Sequence, residues 1–253
     1  MVLEQFQLRG KVAIVTGCDT GLGQGMARAL AQAGADIVGV NMSQPQETQA
    51  QVQSLSRRFL DLRADLSDTK GLAGLMREAV AMAGHVDILV NNAGIIRRDD
   101  AIKFSEKDWD DVIDVNLKTV FFFSQAVARQ YMAQGGGGKI INVASMLSFQ
   151  GGVRVPSYTA SKSGVMGITR LMANEWAAQR INVNAIAPGY MATNNTAALR
   201  ADAGRNAAIL ERIPAARWGV PDDLAGPVVF LASAASDYVN GYTVAVDGGW
   251  LAR

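Results

Sequence analysis

The 253-residue sequence contains one cysteine, Cys18, and one histidine, His85. A single thiol forms no internal disulfide, and one thiol with one imidazole makes no zinc site of Cys and His ligands, so no metal is assigned. That cysteine usage suits a reducing compartment. Excess charge of either sign is also missing: 24 Lys and Arg stand against 23 Asp and Glu, which leaves no field to gather phosphate backbones or anionic lipid. Nucleic acid is therefore not expected as a partner. No apolar run has the length of a bilayer span, and the opening MVLEQFQLRGK carries Glu4 but no apolar h-region. The expectation is a cytoplasmic chain with no membrane partner. Proline is scarce at six residues, no stretch rich in Pro or Ser separates two halves, and the Gly135 to Gly138 run is only long enough for a turn. Residues 1–253 are read as one domain.

What is present is a core. Hydrophobic residues make up 49% and charged residues 19% of the chain, inside the globular range and outside that of disordered chains. Short runs rich in Val, Ile and Ala alternate with helical-period segments from end to end, which predicts an α/β fold: a doubly wound parallel sheet with helices on both faces. The strands are drawn at Val12 to Thr16, Asp36 to Val40, Arg58 to Ala64, Asp87 to Val90, Lys139 to Val143, Ile181 to Ile186 and Thr243 to Val246. Helices fill the gaps, for example Leu22 to Ala33, Thr69 to Ala83, Trp109 to Ala133 and Ser161 to Ala178. The late stretch from Pro188 to about Ala216 has no strand and reads as a lid.

Four local features carry chemistry. After the first strand, Thr16-Gly17-Cys18-Asp19-Thr20-Gly21-Leu22-Gly23 leads straight into a helix, where glycines let a pyrophosphate approach the unpaired N–H groups and the positive dipole end. The spacing departs from G-x-G-x-x-G, so a plain structural turn stays open. Tyr158 and Lys162 lie four apart on one helical face, where an ammonium favours the phenolate form of its neighbour; an ordinary surface pair is the alternative. Ser145 ends the fifth strand at the sheet edge that binds ligands in such folds, although it could equally cap the next turn. Asn91-Asn92-Ala93-Gly94 ends the fourth strand with a small backbone that a flat ring could pass.

Taken in order, Thr16-Gly17-x3-Gly21-x-Gly23, Asn91-Asn92-Ala93-Gly94, Asn116, Ser145, Tyr158-x3-Lys162 and Pro188-Gly189 resemble the motifs of the short-chain dehydrogenase/reductase family over nearly the whole chain. The resemblance implies a Rossmann fold and a nicotinamide-dependent oxidoreductase. Tyr158 would be the acid/base, Lys162 would lower its pKa and hold the nicotinamide ribose, Ser145 would orient the substrate oxygen, and Asn116 would hold the water of a proton relay. It further implies cofactor contacts at Gly17, Asp19, Thr20, Gly21, Leu22, Gly23, Asn92, Ala93 and Gly94, an adenine contact at Asp65-Leu66, and a cover over the nicotinamide from Pro188-Gly189 and Thr193. Pairing of the two long helices, with Val246 to Trp250 at a second interface, implies a homotetramer. Within the family, Gly17 to Gly25, Ser145 to Gly152 and Gly189 to Thr196 are most similar to enzymes acting on keto-sugar acids in bacterial pectin or uronate breakdown.

Departures from the pattern set the remaining expectations. NAD users of this family carry an acid at the end of the second strand; here Asn41 stands there, able to bond a ribose hydroxyl. Neither the Gly loop nor Met42 and Ser43 supplies a cation for a 2′-phosphate, and Asp19 repels one, so NAD is expected over NADP. Gln150 and Arg154 are assigned to the substrate, Arg154 to its carboxylate with Arg217 in reserve, because a guanidinium binds a carboxylate with two parallel hydrogen bonds. A paired surface role for Arg154 is the alternative. A different polyol, keto-sugar or oxoacyl substrate, a non-catalytic dinucleotide-binding regulator, and a serine hydrolase built on Ser145 are the rival functions. The hydrolase lacks a base, since His85 precedes the fourth strand on the far edge of the sheet.

Overall fold

A computed structural model describes residues Met1–Arg253. Seven parallel strands form one sheet in the order β3-β2-β1-β4-β5-β6-β7: β1 Val12–Thr16, β2 Asp36–Asn41, β3 Phe59–Arg63, β4 Ile88–Asn91, β5 Gly138–Val143, β6 Ile181–Pro188 and β7 Thr243–Val246. Every residue of β1 and of β4 is buried. Their side chains alternate between two cores, Ala13, Val15, Ile88 and Val90 in one and Val12, Ile14 and Leu89 in the other. That is why these strands read as unbroken apolar runs rather than alternating ones.

Helices α1 Gly21–Gln32, α2 Gln46–Ser54, α3 Leu72–Ala83, α4 Glu106–Ile113, α5 Thr119–Gln134, α6 Pro156–Trp176, α7 Ala197–Ala201, α8 Ala203–Arg212 and α9 Ala225–Ala232 complete the fold. Met26 and Leu30 of α1 pack with Val228 and Leu231 of α9 on one face, and Leu75 of α3, Phe123 and Val127 of α5 and Met172 of α6 cover the other. The strand order reverses direction between β1 and β4, so their carboxyl ends open a crevice there.

The predicted strands coincide with the observed ones to within two residues. The helices differ more. The single helix predicted over Trp109 to Ala133 is two, α4 and α5, joined by a π-helical turn at Asp114–Lys118, which apolar periodicity does not register. α6 begins at Pro156, not Ser161, because proline suits the first helical turn. α2, α7, α8 and α9 lie in gaps for which no helix bounds were drawn. In α8 only Ile209 is buried, too little apolar content to announce a helix. Pro188 is the last residue of β6, and the lid above the sheet begins after it. No helix is long and apolar enough to cross a membrane.

Candidate active site

A cleft of about 1160 Å³ runs over the carboxyl ends of the strands, lined at one end by the loop after β1 and at the other by Ser145, Tyr158 and the lid. The β1–α1 loop is fixed from three sides. Asn92 donates to the carbonyls of Thr16 (3.0 Å) and Gly17 (2.8 Å). Thr48 donates to the Cys18 carbonyl at 2.7 Å. Asn41 accepts from the Cys18 N–H at 2.7 Å and turns its amide nitrogen toward the Cys18 sulfur. Gly17 sits at φ +61°, and a Cβ on Gly23 would overlap the Gly17 carbonyl and the Asn92 amide. Only glycine permits this backbone packing. Thr20 makes no side-chain capping bond to α1, so the first-turn N–H groups face the cleft as an anion site.

This geometry gives Asn41 a different role. The residue stands at the end of β2 on the cleft wall as expected, but it is 3% exposed and its amide is committed to Cys18. It shapes the loop; the expected free amide for a ribose hydroxyl is not there. A cation that sequence inspection missed does lie nearby: Arg63, the last residue of β3 and the register partner of Asn41, donates to the Met42 carbonyl. Asp19 accepts from the Ser43 hydroxyl. Burial raises the Cys18 thiol to about 12, which leaves it protonated and unreactive.

At the other end, Ser145, Tyr158 and Lys162 share one wall of the cleft. The Ser145 hydroxyl accepts from the Leu147 N–H at 3.1 Å, so it caps the adjoining turn and still faces the cleft. The Lys162 ammonium lies 5.7 Å from the centre of the Tyr158 ring and donates to the Val143 carbonyl at 2.6 Å. Lys162 is buried, and removal from water lowers its pKa to about 8. The Tyr158 phenol is raised above its ordinary value, mainly by burial, with the facing Ser145 hydroxyl and the Arg98 charge acting in the opposite sense. Ser148, which the sequence did not single out, locks the arrangement by donating to the Lys162 carbonyl at 2.6 Å while its oxygen faces the Ser145 N–H.

Asn116 sits in the π-helical turn, fully buried, below the cleft rather than on its wall. Its amide bonds both the N–H (2.8 Å) and the carbonyl (2.9 Å) of Ile95 and also reaches Ser161. A proton relay through Asn116 therefore has only its backbone carbonyl to use. Pro188 also lies off the wall, whereas Gly189, Thr193, Asp65, Leu66 and the glycines of the loop line it.

The substrate end departs most from expectation. Gln150 and Arg154 line the cleft, but Arg154 is paired with Asp100 at 3.0 Å and Asp99 at 3.7 Å. Arg217 is held by both oxygens of Asp223 at 2.7 Å, outside this cleft. Gln150 accepts from Arg212 at 3.1 Å, and the Arg212 guanidinium stacks 4.0 Å above the Trp250 ring. Arg98, Arg205, Arg212 and Trp250 join the wall. Only Arg98 had a local signal, as one of two adjacent arginines just beyond Asn91-Asn92-Ala93-Gly94. His85 bonds the Gly10 carbonyl and Asp87 before β4, at the opposite end of the strands from Ser145, which removes the base a serine hydrolase needs.

Comparison with known proteins places the chain in a family. The family model described as enoyl-(acyl carrier protein) reductase matches residues 17–251. The chain is 72% identical over 253 residues to 2-dehydro-3-deoxy-D-gluconate 5-dehydrogenase of Escherichia coli, covering 100% of both chains. Among solved structures, a putative 2-deoxy-D-gluconate 3-dehydrogenase from Agrobacterium tumefaciens with bound NADP is 56% identical with a TM-score of 0.91, over 98% of this chain and 99% of that one. A gluconate 5-dehydrogenase from Burkholderia cenocepacia in complex with NADP and tartrate is 39% identical with a TM-score of 0.95, over the full length of both. The chain belongs to the short-chain dehydrogenase/reductase family and is an oxidoreductase.

Proposed function

We propose that this member of the family interconverts a keto-sugar acid and its alcohol, of the 2-dehydro-3-deoxy-D-gluconate 5-dehydrogenase type, with NAD(H). The observation that carries the reading is the joint placement of Ser145, Tyr158 and Lys162 on the wall of a cleft that begins at the β1–α1 loop, in a chain 72% identical end to end to a protein of that name. The cleft wall suits a hydroxylated ligand: Gln150, Asn194, Asn195 and Thr196 line it, where a steroid or long acyl chain would want apolar lining.

The loop glycines and the open N–H groups of α1 fit a pyrophosphate, and the strand ends carrying Asn92, Ala93 and Gly94 fit a flat ring beyond it. The bound dinucleotide supplies the hydride acceptor. In the oxidative direction Tyr158 takes the proton of the substrate hydroxyl, which Ser145 orients by hydrogen bonding. Because burial holds the phenol protonated in the free protein, the positive charge of Lys162 is needed to stabilise the phenolate. In the reductive direction the same phenol returns the proton to the nascent alkoxide.

NAD is favoured at the adenosine end by Asp19, with Ser43 held against it, and by the lack of a cation on the wall there. NADP is the competing reading, favoured by Arg63 beside Met42 and by the bound NADP of the two solved relatives. We also infer a homotetramer in the cytoplasm, serving pectin or uronate breakdown. Support for assembly comes from Trp109, Phe122, Met132 and Leu171, large apolar side chains of α4, α5 and α6 that stand exposed on the single chain. Light scattering that gives four times the chain mass at micromolar concentration is the expected result. NADH absorbance followed during incubation with 2-dehydro-3-deoxy-D-gluconate tests the activity. Cofactor binding without turnover on any sugar acid would favour the regulator instead.

A further inference from the structure

We infer that Ser148 is a positioning residue for the reaction: its buried hydroxyl, bonded at once to the Ser145 N–H and the Lys162 carbonyl, holds Ser145 in register with the helix that carries Tyr158 and Lys162. The inference rests on the reading of Tyr158 as the proton-transferring group and adds the side chain that keeps it aligned with Ser145.

The three side chains sit on two separate elements. Ser145 follows β5 at the head of a short turn, whereas Tyr158 and Lys162 rise from the first two turns of α6. The loop of residues 149–155 that joins these elements has no helix or strand and contains Gly151 and Gly152, so the covalent chain alone leaves their relative placement loose. Ser148 supplies the tie. Its hydroxyl donates to the Lys162 carbonyl at 2.6 Å and accepts from the Ser145 N–H at 3.3 Å, and its own N–H donates to the Ser145 carbonyl at 2.9 Å. Both backbone polar groups of Ser145 are thus held by one residue.

The Lys162 carbonyl does not need this bond. It lies inside α6, where the helix gives a carbonyl its donor four residues on, so the Ser148 hydroxyl is a second partner that reaches in from another element. The Ser145 N–H is different: it is buried, and the Ser148 oxygen is its hydrogen-bond partner. Two other polar ties join residues 143–149 to α6. One is the Lys162 ammonium on the Val143 carbonyl at 2.6 Å, and the other is a long contact of the Ser163 hydroxyl with the Leu147 carbonyl at 3.5 Å. The first uses the ammonium that the chemistry itself employs, which leaves Ser148 as the short tie independent of it. With its oxygen accepting from the Leu147 N–H, the Ser145 hydroxyl keeps its proton for a ligand oxygen or for Tyr158. The phenol is faced by that hydroxyl from the turn, by Lys162 from its own helix and by Arg98 from the loop after β4. Loss of the Ser148 tie releases the first of these and leaves the two cations in place.

The test compares Ser148→Ala and Ser148→Cys with the wild type in oxidation of 2-dehydro-3-deoxy-D-gluconate by NAD. Single-turnover rates are used, because they report the chemical step without product release. For Ser148→Ala that rate is expected to fall between about 10-fold and about 100-fold, the scale for misplacing a reacting group by up to about 1 Å. Substrate KM and NADH affinity should stay within about twofold, since neither the cleft wall nor the β1–α1 loop is altered. Ser148→Cys keeps the volume but offers only a weak sulfur donor and acceptor, so it should follow Ser148→Ala. Oxidation requires the phenolate and so quickens with pH; without the aligned Ser145 hydroxyl that rise should move upward by about 0.5 to 1 pH unit. A hydroxyl that only capped its turn would lower the melting temperature and leave the pH profile where it was. Fluorescence titration with NADH reports that each variant is folded. An unchanged rate or an unshifted profile in Ser148→Ala, wild-type rates in Ser148→Cys, or loss of NADH binding in both variants overturns the role of Ser148. Tyr158→Phe separates this from the reading beneath it. If that variant turns over normally, Tyr158 is not the proton carrier and the mechanism fails as a whole; if it is dead while both Ser148 variants match the wild type, only the role of Ser148 fails.

Discussion

Replacing Lys162 by Met tests whether the ammonium beside Tyr158 is held in place against its own solvation. The residue is 4% exposed, and burial lowers its pKa from 10.5 to about 8. An unfolded chain keeps the higher value, so between pH 8 and 10.5 the unfolded state binds more protons than the folded one, and linkage makes stability rise with pH across that window. Below pH 8 the full penalty applies. At pH 7 the depressed pKa corresponds to about 3 kcal/mol of destabilisation, falling to about 1 kcal/mol at pH 10. Met has similar length and no charge, so the variant lacks this dependence. It also lacks the bond to the Val143 carbonyl, a loss that opposes the gain but changes little with pH. The difference in unfolding free energy between variant and wild type should therefore move by about 2 to 3 kcal/mol in favour of the wild type from pH 7 to pH 10. For a chain of this size that is a swing of about 4 to 12 °C in relative Tm. Urea or thermal unfolding of both apo proteins, at one protein concentration so that assembly is held constant, measures it. A flat difference across that pH range refutes the desolvation argument. Turnover in Lys162→Met should be lost throughout.

Three other outcomes are expected. Tyr158→Phe should abolish turnover and leave NADH affinity within about twofold, because the change removes a transferable proton and almost no surface; near-normal turnover would take Tyr158 out of the mechanism. Gly23→Ala should weaken NADH binding by roughly 5-fold to 150-fold, equivalent to about 1 to 3 kcal/mol of overpacking, since its Cβ would collide with the Gly17 carbonyl and Asn92; a fluorescence titration superimposable on the wild type would count against the fixed loop. The wild type should prefer NADH to NADPH, and Arg63→Ala should depress NADPH use selectively; a wild-type preference for NADPH would show that Arg63 outweighs Asp19.

The strands and the grouping of Ser145, Tyr158 and Lys162 on the cleft wall were legible because both are written in local pattern. A strand buried on two faces is apolar along its length, as β1 and β4 are up to the Thr16 and Asn91 at their carboxyl ends, and a helix brings positions four apart onto one face, as it does Tyr158 and Lys162. What the sequence did not disclose is how polar side chains pair across long separations. Asn41 looked like a ribose ligand because it ends β2, but the Cys18 N–H, 23 residues earlier, takes its amide oxygen. The same β2 end gains a cation from Arg63, which reaches it only because β3 lies beside β2 in the sheet. Asn116 is set by a π-helical turn that leaves no mark on hydrophobic periodicity.

The arginines obey the same logic and explain why the substrate end was hardest to read. A count of guanidiniums near the site treats Arg97, Arg98, Arg154 and Arg217 as equals, and proximity to Tyr158 in sequence favours Arg154. Binding strength depends instead on what each one has given up in the folded chain. A guanidinium already paired with two acids offers a new carboxylate little net attraction, because the incoming anion is repelled by the acids as it is drawn to the cation. Arg154 brings Asp99 and Asp100 with it, and those two acids come directly after Arg98 in the chain. The pairing that occupies Arg154 is thus the one that keeps the acids adjacent to Arg98 occupied as well. Removing Arg154 would release Asp99 and Asp100 at the cleft, so any rise in the acid KM for Arg154→Ala should shrink with added salt, as screening weakens the released charges. A salt-insensitive loss in Arg154→Ala would mean that its guanidinium touches the substrate directly.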